Sequence, residues 1–318
     1  MQKKKTVAVL MGGWSREREV SLSSGKASAK ALRDAGYDVR EIIVEKNLEK
    51  FLSELTPRPD VVFNALHGQG GEDGTLQGVL DVLGIPYTHS GMLASSVAMN
   101  KQRTKEVVSS KGIRCPEGIL LHIDALKKNG KEAVPFPPPF VVKPNCEGSS
   151  VGVFIVRDGD NEFHALLEKW EYGTDALVER FIPGRELSVA VMSSDGQTPK
   201  ALTVTEIKPV NHGFYDYEAK YSDGGSQHIV PALLPKDVFE EAKRMAALAH
   251  ETLGCSGVSR SDFRYDDTKP GATGLYFLET NTQPGMTPTS LVPEQAAATG
   301  MDFKNLVSWM VENAKCHA

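Results

Sequence analysis

Along the first hundred residues, the apolar positions switch repeatedly between the runs typical of strands and the spacing typical of helices. This pattern predicts strands over 6–11, 37–44, 60–66 and 85–88, and helices over 20–35, 48–55 and 75–83. Strands that alternate with helices predict a parallel sheet with helices on both faces. Ligands on such sheets bind beyond the carboxyl ends of the strands, where residues 12–19 and 67–74 lie in this chain.

The pattern changes after residue 91. A helix over 94–112 and a proline-rich connector over 135–139 lead into short strands that are separated by turns. These strands cover 140–143, 151–156, 176–181, 187–192, 201–206, 262–265 and 275–278, with helices over 237–253 and 303–313. Short strands joined by turns indicate mainly antiparallel pairing, so the second two-thirds of the chain is predicted to be α+β.

Composition and charge narrow the class of protein. The chain has 318 residues, of which 40% are hydrophobic and 24% charged, as in a soluble globular protein of two or three domains. A net charge of −5 provides no basic field for nucleic acid or anionic lipid. We expect a cytoplasmic protein without a targeting or membrane-spanning segment, because no stretch has the required length and its scattered cysteines resemble reduced thiols.

The strand predicted over 275–278 ends in oxygen-bearing side chains. Residues i and i+2 of a strand point the same way, so Glu279 and Asn281 share one face. Asp262 on the neighbouring strand would add a third oxygen ligand of the kind that Mg²⁺ binds. Arg260 shares a side with Asp262, and a cation beside metal ligands suits phosphoryl transfer. The alternative is a solvated strand end.

A second motif joins the strand that ends at Lys143 to the strand that follows residue 152. The loop KPNCEGSSVG places glycines and serines behind a lysine. Phosphate oxygens bind to such a combination of backbone N–H groups, hydroxyls and one cation. The loop is not a Walker A sequence, because its lysine comes first and no helix follows. The alternative is a β-hairpin loop with an incidental lysine.

The segment 12–19 follows the first strand, where a dinucleotide-binding turn would lie. Glu45, at the end of the second strand, occupies the usual ribose-binding position. The G-x-G-x-x-G pattern is absent, which argues against NAD. An acidic residue in this segment suits a ligand ammonium better. The alternative is a charged helix N-terminus.

The loop over 67–74 contains four glycines, which indicates a close approach to another group. Its polar residues His67, Glu72 and Asp73 either bind a small polar substrate or cap the helix that follows. Farther along the chain, the aromatic and charged segment 214–221 is too polar for a core and has too few lysines for nucleic acid. An active-site flap is the more natural interpretation.

Six segments, taken together and in this order, resemble those of D-alanine–D-alanine ligases, a family of the ATP-grasp superfamily. They are GGWSREREVSLSSG (12–25), LHGQGGEDGTLQG (66–78), KPNCEGSSVG (143–152), FYDYEAKY (214–221), SRSDF (259–263) and ETNTQPGMTPTSLVP (279–293). The resemblance covers nearly the whole chain. It implies an N-terminal Rossmann-like substrate domain (1–100), a central ATP-grasp lobe (101–184) and a C-terminal ATP-grasp lobe with the metal site (185–318).

The resemblance also implies an activity. Members of this family phosphorylate one D-alanine with ATP, and the amine of a second D-alanine attacks the acyl phosphate to give the dipeptide used in peptidoglycan. The implied cofactors are ATP and two Mg²⁺ ions, with Mn²⁺ as an alternative. The implied partners are small-molecule substrates and a second copy of the chain in a homodimer, without nucleic acid or membrane.

The resemblance further implies roles for individual residues. The ATP site would contain Lys101, Lys143, Glu147, Gly148, Ser149, Ser150, Val151, Glu179, Arg180, Phe181, Ile182 and Glu186. The metal ligands would be Asp262, Glu279 and Asn281. The substrates would contact Glu17, His67, Lys220, Arg260, Gly285 and Ser290, and the catalytic group would be Glu17, Ser149, Tyr221 and Arg260. Tyr221 also favours D-alanine as second substrate, because relatives that use D-lactate carry phenylalanine in the flap.

Two residues depart from the family pattern. Cys146 stands where a basic residue is common, and Gln283 stands where a small or apolar residue is usual. We expect neither to contact a ligand. The alternative functions are another ATP-grasp carboxylate–amine ligase, a nucleotide-binding dehydrogenase, suggested by the N-terminal pattern and Glu45, and a non-catalytic nucleotide sensor.

Overall fold

A computed structural model describes residues 4–148, 151–160, 162–210 and 225–317. One parallel sheet and two antiparallel sheets organise these residues. The parallel sheet comes first along the chain, which confirms the predicted change from α/β to α+β.

The N-terminal sheet has three parallel strands in the order β2-β1-β3. Its elements are β1 (Thr6–Gly12), α1 (Arg18–Asp34), β2 (Asp38–Val44), α2 (Leu48–Glu54), β3 (Val61–Asn64) and α3 (Thr75–Leu83). Side chains of β1 alternate between two cores, so that Val9 packs with α1 and Leu10 packs with α2 and α3. The strand predicted over 85–88 is reduced to isolated bridges through Tyr87, one of them to Val62.

The helix predicted over 94–112 is interrupted at Asn100. The structure has α4 (Met92–Met99) and α5 (Lys101–Ser109). Asn100 is extended, with ψ at 99°, and its side chain accepts the N–H of Arg103, so it caps the second helix. The backbone N–H of Lys101 donates to Asn145 O at 3.0 Å. This cap therefore holds the first turn of α5 beside the loop that follows residue 144.

A four-stranded antiparallel sheet follows, in the order β4-β7-β5-β6. Its strands are β4 (Gly118–His122), β5 (Phe140–Pro144), β6 (Phe154–Val156) and β7 (Asp175–Arg180). The accompanying helices are α6 (Ile123–Asn129), the 3₁₀ turn Gly130–Ala133 and α7 (Phe163–Glu168). Phe140, Val142 and Phe163 lie in the core between this sheet and its helices.

The third sheet has five antiparallel strands in the order β10-β9-β8-β11-β12. Its strands are β8 (Arg185–Ser193), β9 (Lys200–Pro209), β10 (Ser226–Ile229), β11 (Gly257–Tyr265) and β12 (Leu275–Asn281). The remaining elements are α8 (Lys236–Thr252), the 3₁₀ turn Gly271–Gly274, α9 (Leu291–Ala298) and α10 (Phe303–Glu312). All its neighbouring strands are antiparallel, as the short strands and turns predicted.

Alternation along β8 joins the third sheet to the rest of the protein. Leu187 and Val189 face a core shared with α5 and α8, whereas Ala190 and Met192 face a core shared with β1 and α1. The five-stranded sheet is therefore covered on both faces. The paired strands β11 and β12 of this sheet come close to the loops that follow β1 and β3. The functional site lies in this region.

Candidate active site

A cleft lies between the four-stranded and five-stranded sheets. Its empty space, including the open mouth, is about 790 Å³, which is the size of a small-molecule site. The predicted site residues that line it are Lys101, Lys143, Glu147, Val151, Glu179, Arg180, Phe181, Ile182, Glu186, Asp262 and Glu279. These residues are spread over 179 positions of sequence, so packing of the two sheets brings them together.

Apolar side chains form part of the cleft walls, and sequence analysis missed them. Val141, Val153 and Leu278 come from β5, from the turn before β6 and from β12. Aliphatic surfaces of this kind suit a flat aromatic ring, and the charged residues lie in the same cleft. The cleft therefore combines an apolar part with a cationic part, as a nucleotide requires.

Arg264 is a second cleft residue that sequence analysis missed. Its guanidinium donates to Ile182 O at 3.1 Å and Gly184 O at 2.8 Å, and lies 3.5 Å from Glu186. Burial lowers the pKa of Arg264, while Glu186 opposes that shift. Arg264 thus fixes the connection between β7 and β8. Its position two residues after Asp262 on one strand was a signal that could have identified it.

The predicted metal ligands lie on paired strands. In the ladder between β11 and β12, Asp262 is opposite Glu279 and Arg260 is opposite Asn281. Arg260 donates to both oxygens of Asp262, at 2.9 Å from Nε and 2.8 Å from Nη2. Ser188 Oγ donates to Asp262 at 2.7 Å, and Asn281 Nδ2 approaches it at 3.3 Å. The carboxylate is therefore held in one orientation from three sides.

Lys101 connects this strand end to the loop after β5. Its ammonium lies 3.1 Å from Glu279 Oε2 and donates to Glu147 O at 2.5 Å. The lysine is 8% exposed, so its charge acts inside the cleft rather than in bulk solvent. It neutralises part of the negative charge that the carboxylates would otherwise concentrate there.

A buried cluster of charges lies in the cleft wall. Glu179, which is 2% exposed, pairs with Lys143 at 2.5 Å and with Lys105. Burial lowers the pKa of Lys143 to about 8. Lys105 was not among the predicted site residues. Its position four residues after Lys101, on the same face of α5, was an available signal.

The predicted substrate residues form a second group beyond Arg260. Glu17 is 8% exposed and its N–H donates to Ser15 Oγ, which donates to His67 O at 2.6 Å. A Cβ on Gly148 would lie 3.0 Å from Glu17 Oε2. The predicted phosphate loop and the predicted ammonium-binding residue are therefore adjacent in the structure.

His67 is held as a neutral ring. Its Nδ1 is 3.2 Å from Gln283 O, which can only accept, so Nδ1 carries the proton. Its Nε2 therefore accepts from Ser24 Oγ at 3.2 Å. Burial lowers the pKa of His67, with Glu17 opposing the shift. Gln283, one of the two departures from the family pattern, also accepts from Asn64 at 2.8 Å and so connects the segment after β12 with the end of β3.

The other two polar residues of the 67–74 loop, Glu72 and Asp73, were predicted either to bind substrate or to cap the following helix, and they differ in position. Asp73 accepts from the N–H groups of Gly70 and of Thr75, the first residue of α3, so it acts at the helix start as the alternative interpretation proposed, although the N-cap residue itself is Gly74. Glu72 accepts from the Gly68 N–H at 2.9 Å, and the same oxygen would lie 3.5 Å from a Cβ on Gly148. Burial, and then the charge of Glu17, raise the pKa of Glu72 to about 8.

The raised pKa of Glu72 makes stability depend on pH. The folded protein retains this proton up to about pH 8, whereas the unfolded chain releases it near 4.5, so stability falls as pH rises between these values. A Glu72→Gln variant keeps the acceptor for Gly68 and loses the ionisation. We expect it to gain stability over the native protein from pH 5 to pH 8, by at most about 1.4 kcal/mol per pH unit.

Urea unfolding of the ligand-free protein at several pH values measures this difference. Glu168→Gln on the exposed surface of α7 is the matched control and should show no such trend. A constant difference between Glu72→Gln and the native protein across this pH range would contradict a protonated Glu72 in the folded protein.

Gly285 and Ser290 lie next to each other at the start of α9. A Cβ on Gly285 would be 3.0 Å from Ser290 Oγ, and that hydroxyl accepts from the Thr287 N–H at 3.1 Å. In this short turn, the Ser290 hydroxyl therefore lies beside the Gly285 backbone, and Gly285 has no side chain that would block access to its N–H group. Four predicted site residues, Ser149, Ser150, Lys220 and Tyr221, lie outside the described residues.

Comparison with protein families gives two matches. Residues 107–312 match the model described as "D-ala D-ala ligase C-terminus", and residues 48–90 match "D-ala D-ala ligase N-terminus". The chain is 54% identical over 312 residues to a D-alanine–D-alanine ligase of Acidiphilium cryptum, covering 98% of this chain and 99% of that protein. It is 55% identical over 315 residues to that of Paramagnetospirillum magneticum, covering 98% and 99%.

Solved structures give the same result. The D-alanine–D-alanine ligase from Bacillus anthracis in complex with ATP is similar with a TM-score of 0.78 and 33% identity, over 98% of this chain and 97% of that one. The VanG D-Ala:D-Ser ligase from Enterococcus faecalis is similar with a TM-score of 0.80 and 30% identity, over 98% and 99%.

Proposed function

The chain belongs to the D-alanine–D-alanine ligase family, and we propose that its cleft and its substrate group together join two D-alanines with ATP. The reaction gives D-alanyl-D-alanine, ADP and phosphate, and the dipeptide serves peptidoglycan synthesis. The observation that carries this proposal is the meeting of two sites. The cationic cleft and the group around Glu17 and His67 converge on Arg260, Asp262 and Glu279.

We propose one orientation for ATP in the cleft. The apolar walls at Val141, Val153 and Leu278 suit the adenine ring, and Lys101 and Lys143 suit the phosphates. With a pKa of about 8, Lys143 remains mostly charged at neutral pH. The 181–186 connection, held by Arg264, would then lie beside the adenine and ribose. The predicted role of Gly148 and Val151 in covering the phosphates, and of Glu147 in the ATP site, is consistent with their positions in the cleft and beside Glu17.

The donor set at the strand ends fits Mg²⁺. Among the residues that the structure describes, no three His, Cys, Asp or Glu side chains form a metal-binding group by themselves. The site would instead use the carboxylates of Asp262 and Glu279 and the amide oxygen of Asn281, which are hard ligands, with ATP phosphates completing the coordination. Two bound ions, Mg²⁺ or Mn²⁺, would neutralise charge on the transferring phosphoryl group.

The chain's own residues would act around the reacting atoms. Glu17 would bind the ammonium of the first D-alanine with His67 beside it, so that the substrate carboxylate faces the γ-phosphate. Attack on phosphorus releases ADP and forms the acyl phosphate.

The amine of the second D-alanine then attacks the carbonyl carbon, and the tetrahedral intermediate expels phosphate. Arg260 and the Gly285 N–H would stabilise its oxyanion, and Ser290 would hold the second carboxylate together with Lys220.

The flap residues would complete the closed site. An acyl phosphate hydrolyses in open water, so the reaction requires a cover over the cleft. We propose that the 143–152 loop and the 206–226 segment supply it, and that Ser149 and Tyr221, linked to Glu17, hold the loop and the flap together. Ser149 and Tyr221 lie outside the described part of the chain, so this role rests on the family resemblance. The same resemblance makes D-alanine, rather than D-lactate, the second substrate.

The remaining proposals concern organisation. We propose three units with limits at 1–100, 101–184 and 185–318, a homodimer, and a cytoplasmic location. In the described residues, no helix is long and apolar enough to span a membrane. Light scattering at several protein concentrations measures the oligomeric state.

The dehydrogenase alternative has no support, since Glu45 forms an exposed ion pair with Lys50 at 2.9 Å.

A substrate panel tests the function. We expect ADP and phosphate release with Mg²⁺ and D-alanine, no release with L-alanine, and loss of activity when EDTA removes the metal. Mass spectrometry of the product should show D-alanyl-D-alanine. One similar structure is a D-Ala:D-Ser ligase, so D-alanine and D-serine should also be supplied together at equal concentration. We expect D-alanyl-D-alanine to be the main product of this mixture. Equal turnover with L-alanine, or none with D-alanine, would refute the proposal.

A further inference from the structure

Glu179 is a buried carboxylate that lies between two lysines. One oxygen pairs with Lys143 at 2.5 Å and the other pairs with Lys105. All three side chains are at least nine-tenths buried. A single buried carboxylate needs one cation to remain ionised, so the second lysine requires an explanation.

The two lysines differ in what else they can reach. Lys143 lines the nucleotide cleft, where the proposed function assigns it to an ATP phosphate. Lys105 is buried one helical turn after Lys101 on α5 and is not among the residues that line the cleft. Because it lies outside the lining, Lys105 would keep its contact with Glu179 when nucleotide binds.

Nucleotide binding would change the partners within this cluster. When Lys143 moves to a phosphate, Glu179 loses one of its two cations. A buried carboxylate left without a counterion is strongly unfavourable, so a chain with Lys143 alone would resist this exchange. Burial, and then the charge of Lys143, lower the pKa of Lys105 well below its ordinary value. Because both ammonium groups contact one carboxylate, they repel each other, and this repulsion favours release of Lys143.

We propose that Lys105 is a positioning residue of the nucleotide site, which keeps the Glu179 carboxylate paired and thereby releases Lys143 to bind ATP. This inference rests on the proposed function, because it requires Lys143 to bind a phosphate. Lys105 contacts no substrate in this scheme and acts only through Glu179 and Lys143. Its removal should therefore affect ATP more than D-alanine.

The first experiment compares Lys105→Met with the native protein. We expect the apparent KM for ATP to rise about tenfold, the size of a typical coupling between buried neighbours, with the KM for D-alanine changed less than about twofold. Calorimetric titration with Mg·ATP in the absence of D-alanine should show the same loss of affinity. Lys111→Met, an exposed lysine just after α5, is the matched control. An unchanged ATP affinity in Lys105→Met would overturn the proposal.

The second experiment uses Glu179 to separate positioning from general destabilisation. If Lys105 acts through the carboxylate, then adding Lys105→Met to Glu179→Gln should change ATP affinity less than about twofold. A further large loss in the double variant would overturn the proposal. This comparison remains valid even if Lys105→Met alone fails to fold, because the double variant contains no unpaired buried carboxylate.

The two hypotheses fail in different ways. If the native protein binds Mg·ATP but does not ligate D-alanine, the proposed function is wrong, while the titrations still test Lys105. If the native protein ligates D-alanine and the double variant loses ATP affinity beyond Glu179→Gln, then Lys105 acts on the nucleotide by another route.

Discussion

Replacing Glu279 with glutamine is expected to lower D-alanine-dependent phosphate release by about 10³-fold or more. Glu279 lies opposite Asp262 across the strand pair and 3.1 Å from Lys101. The substitution keeps the shape of the side chain and removes a charge that would bind the metal. Metal stabilisation of a transferring phosphoryl group is worth several kcal/mol, and each 1.36 kcal/mol corresponds to a factor of ten in rate.

The matched control is Glu240→Gln, which makes the same chemical change on the exposed surface of α8. Its turnover should equal that of the native protein. Circular dichroism and thermal unfolding establish that Glu279→Gln retains the fold, since its position at a strand end leaves the hydrophobic cores unchanged. Raising the Mg²⁺ concentration should restore little activity. If the turnover of Glu279→Gln stays within about threefold of that of the native protein, the metal-binding role of Glu279 is contradicted.

Replacing Arg260 is expected to lower kcat by about 10²- to 10³-fold, as removal of an oxyanion-stabilising group does. Arg260 has a second role, because its fork holds both oxygens of Asp262 at 2.9 and 2.8 Å. A lysine keeps the charge but cannot reproduce two parallel hydrogen bonds. We therefore expect Arg260→Met to lose most of the activity. The activity of Arg260→Lys should exceed that of Arg260→Met by no more than about tenfold.

Steady-state kinetics with both substrates varied measure these effects. The loss in Arg260→Met should appear in kcat, with a smaller change in the KM for ATP, because the guanidinium would act on a charge that develops during reaction. Arg244→Met, which breaks an exposed pair with Glu241, is the control and should leave kcat unchanged. If kcat stays near native while only the KM for ATP rises, Arg260 is a nucleotide-binding residue and not an oxyanion stabiliser.

Local patterns predicted much of the fold and one part of the site. The order of strands and helices predicted the parallel sheet and the later antiparallel pairing, and both are confirmed. The two-residue repeat of a strand placed Glu279 beside Asn281, and the expected neighbouring strand brought Asp262 opposite Glu279. These inferences succeed because a strand imposes its geometry on residues that are close together in sequence.

Other local inferences were wrong for a physical reason that is also local. The helix predicted over 94–112 divides at Asn100, because an asparagine side chain caps a helix start as readily as it continues a turn. The periodic pattern of apolar residues runs across that break and conceals it. The break matters for function, since it places Lys101 at the first turn of α5, beside Asn145 and Glu279.

The sequence by itself determined the fold class, the family and most residues of the cleft, since these depend on periodicity and on motifs in a set order. Tertiary structure alone decided which charges are buried together. Lys105 and Glu179 are 74 positions apart, and His67 contacts a residue 216 positions away. The neutral state of His67, the raised pKa of Glu72 and the two lysines on Glu179 all follow from burial, and burial arises only when distant elements pack.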